Sequence, residues 1–258
     1  HYLFEYNKYL KEDIIEYMIS LGCKLSYKNE SLNILYFLVN NPNLTTNRIL
    51  NILNFIKDRY NYNFCNLDLD GNNIYHYLSS SINSSPKILK FFSEYNKDFN
   101  LKNKYTETPL LNSTRINNTE FSLFLINNKC DVNSRNNNGN SPLMYACMNN
   151  NIFAVSKLIE NGANINEKDN QGDIPIFYSC GCDNKSELDL NLIKYLKLKG
   201  GDINALSKEK FSTLHYASGC ISGKYNLKVI NYLLKCSNNI DTIDIYGKTF
   251  IDYLIKNN

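Results

Sequence analysis

The sequence lacks several features that define common functional classes of protein. It contains no apolar run long enough to span a bilayer, so no membrane segment and no membrane partner are predicted. Its 28 basic residues are nearly balanced by 25 acidic ones, and a formal net charge of +3 is too small to predict a nucleic-acid partner. It has neither a glycine-rich phosphate loop nor a nucleophile elbow. These absences argue against membrane proteins, nucleic-acid-binding proteins and the enzymes built on such loops.

Tryptophan is absent and alanine is scarce, whereas asparagine, isoleucine, lysine and tyrosine are abundant. We interpret this bias as the coding signature of an AT-rich genome and not as a sign of particular chemistry. The asparagine runs at residues 136–138 and 149–151 fall at predicted turns, where asparagine tolerates left-handed backbone.

A helix–turn–helix unit is clearest between Asn137 and Asn166. Gly139 marks a turn, and Pro142 then opens a first helix, because proline has no N–H to lose at the first helical position. A second apolar run at helical spacing follows over residues 152–159, and Gly162 ends it. A unit of about 33 residues cannot bury its own apolar face, so copies must stack.

Copies of this unit recur in register when each is anchored on the position of Gly139. The anchors fall at residues 31, 71, 106, 139, 172, 210 and 247. The shared pattern G-x-T-P-L-H-x-A, followed by x-x-G-A-x-I-N, resembles the ankyrin repeat. That resemblance implies an all-α ankyrin-repeat solenoid of helix–turn–helix units with hairpin loops, forming a single array over residues 1–258.

In this register the chain begins and ends within a repeat. His1-Tyr2-Leu3 matches the middle of a first helix and gives a partial repeat over residues 1–25, while residues 247–258 end before a second helix. Solenoids normally carry polar caps at their ends. We therefore expect a half repeat at both ends and a longer parent protein.

Six of the eight cysteines fall at framework positions that are shared between copies of the repeat. Cys147 and Cys180 share one position, and equivalent positions in neighbouring repeats lie roughly 10 Å apart, which is too far for a disulfide. Cys180-Gly-Cys182 lacks the second ligand pair of a zinc site. We predict reduced cysteines that act as small apolar fillers, no metal or other cofactor, and a cytoplasmic or nuclear location.

The three histidines all stand at the histidine of the repeat motif. His1, His76 and His215 are separated by whole repeats, so the register brings no acid or thiol to them. We expect each to bond backbone groups of the turn, and we predict that the chain is not an enzyme.

An aromatic residue follows the motif histidine in nearly every copy, and Asn112 alone interrupts the series. One interpretation is a ladder of stacking platforms. We favour packing between neighbouring first helices, with the tyrosine hydroxyls at the rim. The series is Tyr2, Phe37, Tyr77, Tyr145, Tyr178, Tyr216 and Tyr253.

The hairpin tips and the starts of the first helices are the candidate partner-binding surface, because ankyrin-like arrays bind proteins through that concave side. Most of these positions are polar, including Gln171, Asp173 and Glu209. Aromatic and arginine anchors carry interface energy disproportionately, although scattered exposed apolar residues are also normal. The predicted partner-binding residues are Tyr105, Glu107, Arg115, Ile116, Asn138, Asn140, Met148, Phe211 and Tyr246.

Four features together resemble the poxvirus ankyrin-repeat family: degenerate repeats, insertions between the two helices of a repeat, Tyr-Leu at the end of several first helices, as in Tyr77-Leu78 and Tyr253-Leu254, and the composition. The resemblance implies a non-catalytic host-range or immune-evasion adaptor that binds a host defence or signalling protein. It also implies an F-box-like segment that recruits a cullin ubiquitin ligase, and no such segment lies within these residues.

Other origins and functions stay open from the sequence. The chain also fits an ankyrin effector of an intracellular bacterium or a protein of an AT-rich protist. The adaptor function is favoured, and the alternatives are a purely structural array or an array attached to a catalytic domain elsewhere in a longer protein.

Overall fold

The computed structural model describes residues 34–81, 83–181 and 190–257. Within these ranges the chain forms thirteen helices and no strand, which confirms the predicted all-α class. The helices are α1 (Ile34–Asn40), α2 (Thr46–Tyr60), α3 (Ile74–Ser80), α4 (Pro86–Ser93), α5 (Pro109–Arg115), α6 (Thr119–Asn127), α7 (Pro142–Met148), α8 (Ile152–Glu160), α9 (Pro175–Ser179), α10 (Leu190–Leu198), α11 (Thr213–Ala217), α12 (Leu227–Cys236) and α13 (Phe250–Asn257).

The odd-numbered helices are the first helices of the repeats, and each begins three residues after an anchor of the sequence register. Each even-numbered helix follows as the second helix of its repeat. The partial repeat predicted for residues 1–25 lies outside the described residues, and the single array over residues 1–258 stays a prediction.

The chain divides into two compact units, residues 1–113 and residues 114–258, called the first and second unit below. In the first unit α1 contacts α3 and α2 contacts α4. In the second unit α7, α9, α11 and α13 contact one another in order, and α6 contacts α8. Within each unit the first helices therefore form one layer and the second helices another.

Asparagine and serine side chains cap several of the helices. Asn118 and Asn151 cap the second helices α6 and α8 by accepting backbone N–H groups of the first turn. Ser141 does the same before Pro142 at the start of α7. These side chains satisfy N–H groups that have no partner within the helix. The asparagine-rich sequence thus supplies many of its own helix caps.

The histidines of the motif fix the first helices to the next hairpin, as expected. His76 Nδ1 accepts from the Asn73 N–H at 3.2 Å, and Nε2 lies 3.0 Å from the Glu107 carbonyl oxygen. His215 repeats this geometry with Ser212 and Lys248, each at 3.2 Å. Burial lowers the pKa of both imidazoles, so they are neutral framework groups. His1 lies outside the described residues.

The described cysteines are free thiols. Cys147 and Cys180 are fully buried in the first-helix layer, and burial raises the pKa of Cys180 to about 12. Cys130 is also buried, but Cys65 is exposed and departs from the predicted filler role. Cys23 and Cys182 lie outside the described residues. The buried thiols behave as small apolar side chains.

Two hairpin glycines with the same backbone conformation give a matched test of the fold. Gly139 and Gly247 have φ of 81° and 72°, in the left-handed region that disfavours other residues. A Cβ at Gly139 would lie 2.8 Å from the backbone nitrogen of Asn170, whereas a Cβ at Gly247 meets nothing within 4 Å.

We expect Gly247→Ala to destabilise the fold by about 1 kcal/mol, the cost of the left-handed conformation alone. Gly139→Ala should cost about 3 kcal/mol, because overpacking is added to that term. Urea unfolding followed by circular dichroism measures both. Equal losses in the two variants would show that the contact between the Gly139 and Asn170 hairpins is not rigid.

Candidate functional site

Each hairpin is organised by the side chain at its first position, three residues before the anchor. Asp169 Oδ1 accepts from the backbone N–H of Gln171 at 2.7 Å and of Asp173 at 2.8 Å. The carboxylate therefore replaces two backbone acceptors that the tight turn cannot supply. Four other hairpins repeat this pair of bonds, headed by Asp68, Asn103, Asn136 and Asp244.

Neighbouring hairpins are joined by backbone hydrogen bonds at their tips. In the second unit Asn170 N donates to Asn138 O at 3.0 Å, Lys208 N to Gln171 O at 2.9 Å, and Ile245 N to Glu209 O at 3.1 Å. Asparagine side chains add bonds at the base, where Asn133 Nδ2 donates to the Gly162 carbonyl at 3.0 Å. The tips consequently form a fixed row from which the intervening side chains project.

Except for Tyr216, the described tyrosines of this series bind the head of their own hairpin. Tyr178 donates to Asp169 Oδ2 at 2.5 Å, and Tyr253 to Asp244 Oδ2 at 2.6 Å. Tyr77 and Asp68 make the same bond in the first unit at 2.5 Å. The rings are buried, which is incompatible with exposed stacking platforms and agrees with packing between first helices. Tyr2 lies outside the described residues.

We expect Tyr178→Phe to cost about 1–2 kcal/mol, because it leaves a buried oxygen of Asp169 without its hydroxyl donor. The change should appear as a lower midpoint of urea unfolding. Tyr105→Phe is the matched control, since its exposed ring should leave stability within about 0.5 kcal/mol of the parent. A loss no larger than that of the control would contradict a stabilising role of the hydroxyl.

The first unit holds two of the predicted partner-binding residues, both at one hairpin. Tyr105 is 60% exposed, as a partner-binding aromatic requires. Glu107 is half-buried, and its backbone oxygen is the atom that His76 contacts. The role of this hairpin in binding stays a prediction.

Five predicted residues lie in the second unit before α9. Asn149 Nδ2, next to Met148, donates to the carbonyl oxygens of Thr114 and Arg115, so the ends of two first helices meet. The Asn140 Oδ1 lies 2.9 Å from the Tyr178 hydroxyl. The Asn140 side chain therefore has a partner within the fold. The exposed members are Arg115, Ile116 and Asn138, and the half-buried ones are Asn140 and Met148.

The prediction of Phe211 as an exposed anchor is wrong. Only 4% of the residue is exposed, and its ring packs against Tyr216 and Tyr253 with centroids 5.9 and 6.1 Å away. The position directly after the anchor is half-buried in the copies at Asn140 and Asp173 as well. A large apolar side chain there therefore turns inward.

Tyr246 is the second predicted aromatic of this region, and it is 60% exposed. Its ring centroid lies 6.4 Å from that of Phe211, and its hydroxyl lies near the Glu209 side chain. The negative charge of Glu209 raises the pKa of Tyr246. Phe211 and Tyr246 are thus brought together, one beneath the surface and one on it.

A cavity of about 120 Å³ opens between the hairpins of the 172 and 210 repeats. Its polar wall carries Asp173 and Glu209 beside Gln171 and Ser207. Its apolar wall is formed by Phe211, Tyr216 and Ile221, the last of which is 57% exposed. The cavity is an amphipathic recess on the face that the sequence assigns to partner binding.

Asp173 is the unusual group of this cavity. Burial raises its pKa to about 6, and the neighbouring carboxylates of Asp169 and Glu209 act in the same direction. The Tyr216 hydroxyl opposes the rise by donating to Asp173 Oδ1 at 2.5 Å. The folded state therefore holds a proton on Asp173 more tightly than the unfolded chain does, and ionising this carboxyl weakens the fold.

The sign of this effect can be tested with Asp173→Asn, whose Oδ1 still accepts from Tyr216. Because the folded pKa is raised, stability falls as pH rises from about 4 to above 6. We expect the variant to unfold at a higher urea concentration than the parent at pH 7.5, and the difference to shrink towards pH 5. The exposed Asp202→Asn is the control and should show no such trend. A variant less stable than the parent at pH 7.5 would contradict a raised pKa.

The described part of the chain forms neither a metal site nor a membrane-spanning helix. Among residues 34–81, 83–181 and 190–257, three or more His, Cys, Asp or Glu side chains nowhere gather in a way that could hold a metal ion. No helix in the same ranges is both long and apolar enough to cross a membrane.

Two layers of short helices joined by cross-linked hairpins define a helical repeat protein with its variable side chains at the hairpin tips. Comparison with protein families agrees: residues 75–169 match a family model described as ankyrin repeats in three copies, and residues 143–196 match one described as ankyrin repeats in many copies. Residues 75–196 thus match ankyrin repeats, which are generally non-catalytic modules that bind protein partners. A search of curated proteins finds no match.

Asp173 and Glu209 line the cavity, and sequence reasoning placed both on the candidate partner-binding surface without selecting them. Each is an ordinary polar residue at a hairpin position. The sequence offered one signal for them: the neighbouring Ser207 stands where most hairpins have Asp or Asn.

Proposed function

We propose that this chain is a protein–protein interaction module that binds its partner through the hairpin surface of the second unit. The observation that carries the proposal is Tyr246, an aromatic ring 60% exposed at the tip of a fixed hairpin and beside an open cavity. Exposed tyrosines that can be fully desolvated by a partner are typical centres of binding energy.

The rigidity of the hairpin row supports the same proposal. Tyr246 N donates to Asp244 Oδ1 at 2.8 Å, and the tip is bonded to the preceding one through Ile245 and Glu209. A surface whose backbone is fixed before binding loses little conformational entropy when a partner docks. The binding energy of the Tyr246 ring then contributes to affinity, because no loop has to be ordered on binding.

We expect Tyr246→Ala to weaken partner binding at least tenfold, since truncating a central aromatic costs about 2 kcal/mol or more. Affinity capture from host-cell lysate followed by quantitative mass spectrometry identifies the proteins retained by the parent chain and measures their loss from the variant. Phe153→Ala is the matched control, because this ring on α8 is 52% exposed but belongs to the second-helix layer.

Retention of every specific partner by Tyr246→Ala would exclude this surface. Absence of any specific partner would favour a purely structural array. A parallel Tyr105→Ala variant tests the hairpin of the first unit separately, because Tyr105 is equally exposed.

We further propose that the partner is a host defence or signalling protein and that the chain acts as an adaptor in the cytoplasm or nucleus of a host cell. The support lies in the sequence: the degenerate repeats, the Tyr-Leu helix ends and the composition. Delivery to a cullin ubiquitin ligase belongs to the same proposal. If the chain delivers its partner to a ligase, the full-length gene product should co-purify with a cullin. A full-length product that purifies without a cullin would contradict the ligase part of the proposal.

A further inference from the structure

The cavity of the second unit has two chemically different walls that a single kind of side chain would satisfy. One wall places the carboxylates of Asp173 and Glu209 around the same recess. The other wall offers the rings of Phe211 and Tyr216 together with Ile221. A long side chain with an apolar stem and a charged end matches such a recess, because its stem and its head bury against different surfaces.

The charge around the recess is negative. The charged groups that act on Asp173 are the carboxylates of Asp169 and Glu209. Two lysines of these hairpins are directed elsewhere: Lys208 Nζ donates to the Asn170 carbonyl at 2.8 Å, and Lys248 Nζ lies 5.4 Å from the centre of the Tyr253 ring. A cation entering the recess would therefore meet two carboxylates at its wall and a third behind them.

We propose that this cavity binds a lysine or arginine side chain of a protein partner, with its stem against Phe211 and Tyr216 and its charge between Asp173 and Glu209. The inference rests on the proposed function, and it adds the chemistry of the residue that the partner inserts. Tyr246 lies beside this cavity, with its ring centroid 6.4 Å from that of Phe211.

The energetics of Asp173 agree with a role in binding. Ionising this carboxyl weakens the fold, and a bound cation would offset that cost by replacing the water lost on burial. Groups that are unfavourable for the fold but suited to a ligand are a common property of functional sites. The Tyr216 hydroxyl keeps Asp173 pointing at the recess in the free chain.

The test uses a phage-displayed library of random 12-residue peptides as the probe for the full chain. We expect the enriched peptides to share one lysine or arginine, and replacing it by norleucine, which keeps the apolar stem, should weaken binding at least tenfold in calorimetry. Asp173→Asn should cause a similar loss and Asp202→Asn none. Because Asp173→Asn should stabilise the fold, its loss of binding cannot come from unfolding.

A double-mutant cycle identifies the contact. If the basic residue occupies the recess, the norleucine peptide should bind Asp173→Asn within about twofold of its affinity for the parent, since the charge pair is already broken. Additive losses would place the basic residue elsewhere and overturn the proposal. Enriched peptides that share no basic residue would overturn it too.

The remaining outcomes separate this inference from the proposed function. Peptides that lose binding with Tyr246→Ala but not with Asp173→Asn would leave the interaction surface standing and remove the basic side chain from the recess. Enrichment of no peptide at all would contradict both. Free arginine amide that binds as tightly as the peptides would identify a small cation, and not a protein partner, as the ligand.

Discussion

The second unit depends on one short-range interaction, the acceptance of backbone N–H groups by an aspartate or asparagine at the head of a hairpin. Asp169 makes every bond of this kind: one carboxylate oxygen accepts from the backbone N–H groups of Gln171 and Asp173, and the other accepts from the Tyr178 hydroxyl. The same side chain thereby closes the hairpin and fixes it to the following first helix. Neighbouring hairpins can then bond through their tips, because each tip already has its shape.

Because the head residue fixes the turn, the residue types at the hairpin tips can vary. The turn conformation is set by the head residue and the left-handed anchor, so the two residues between them are not needed for folding. They are Asn170 and Gln171 in one hairpin, and Ile245 and Tyr246 in another. An interaction surface built this way can change its chemistry from copy to copy while its backbone stays the same.

The sequence allowed the helix pattern to be predicted because helix starts depend on local chemistry. Residues such as Ser141 and Pro142 act within a few positions of themselves, so spacing alone locates the first helices. The surface was harder to predict, since exposure depends on neighbouring repeats. Phe211 follows an anchor just as Asp173 does, and only its packing against Tyr216 and Tyr253 shows that it belongs to the core. Tyr246 differs because it lies at a tip, where no neighbour covers it.

The cavity itself arises where the repeat departs from its own pattern. Ser207 replaces the usual Asp or Asn, and its single hydroxyl accepts only from Phe211 among the described hairpin bonds. Tyr216 consequently finds no carboxylate at the head of its own hairpin and donates to Asp173 of the preceding repeat. Asp173 and Glu209 line the cavity together with Phe211 and Tyr216. At this one hairpin the head residue is a serine, and a recess lined by both charged and apolar side chains lies beside it.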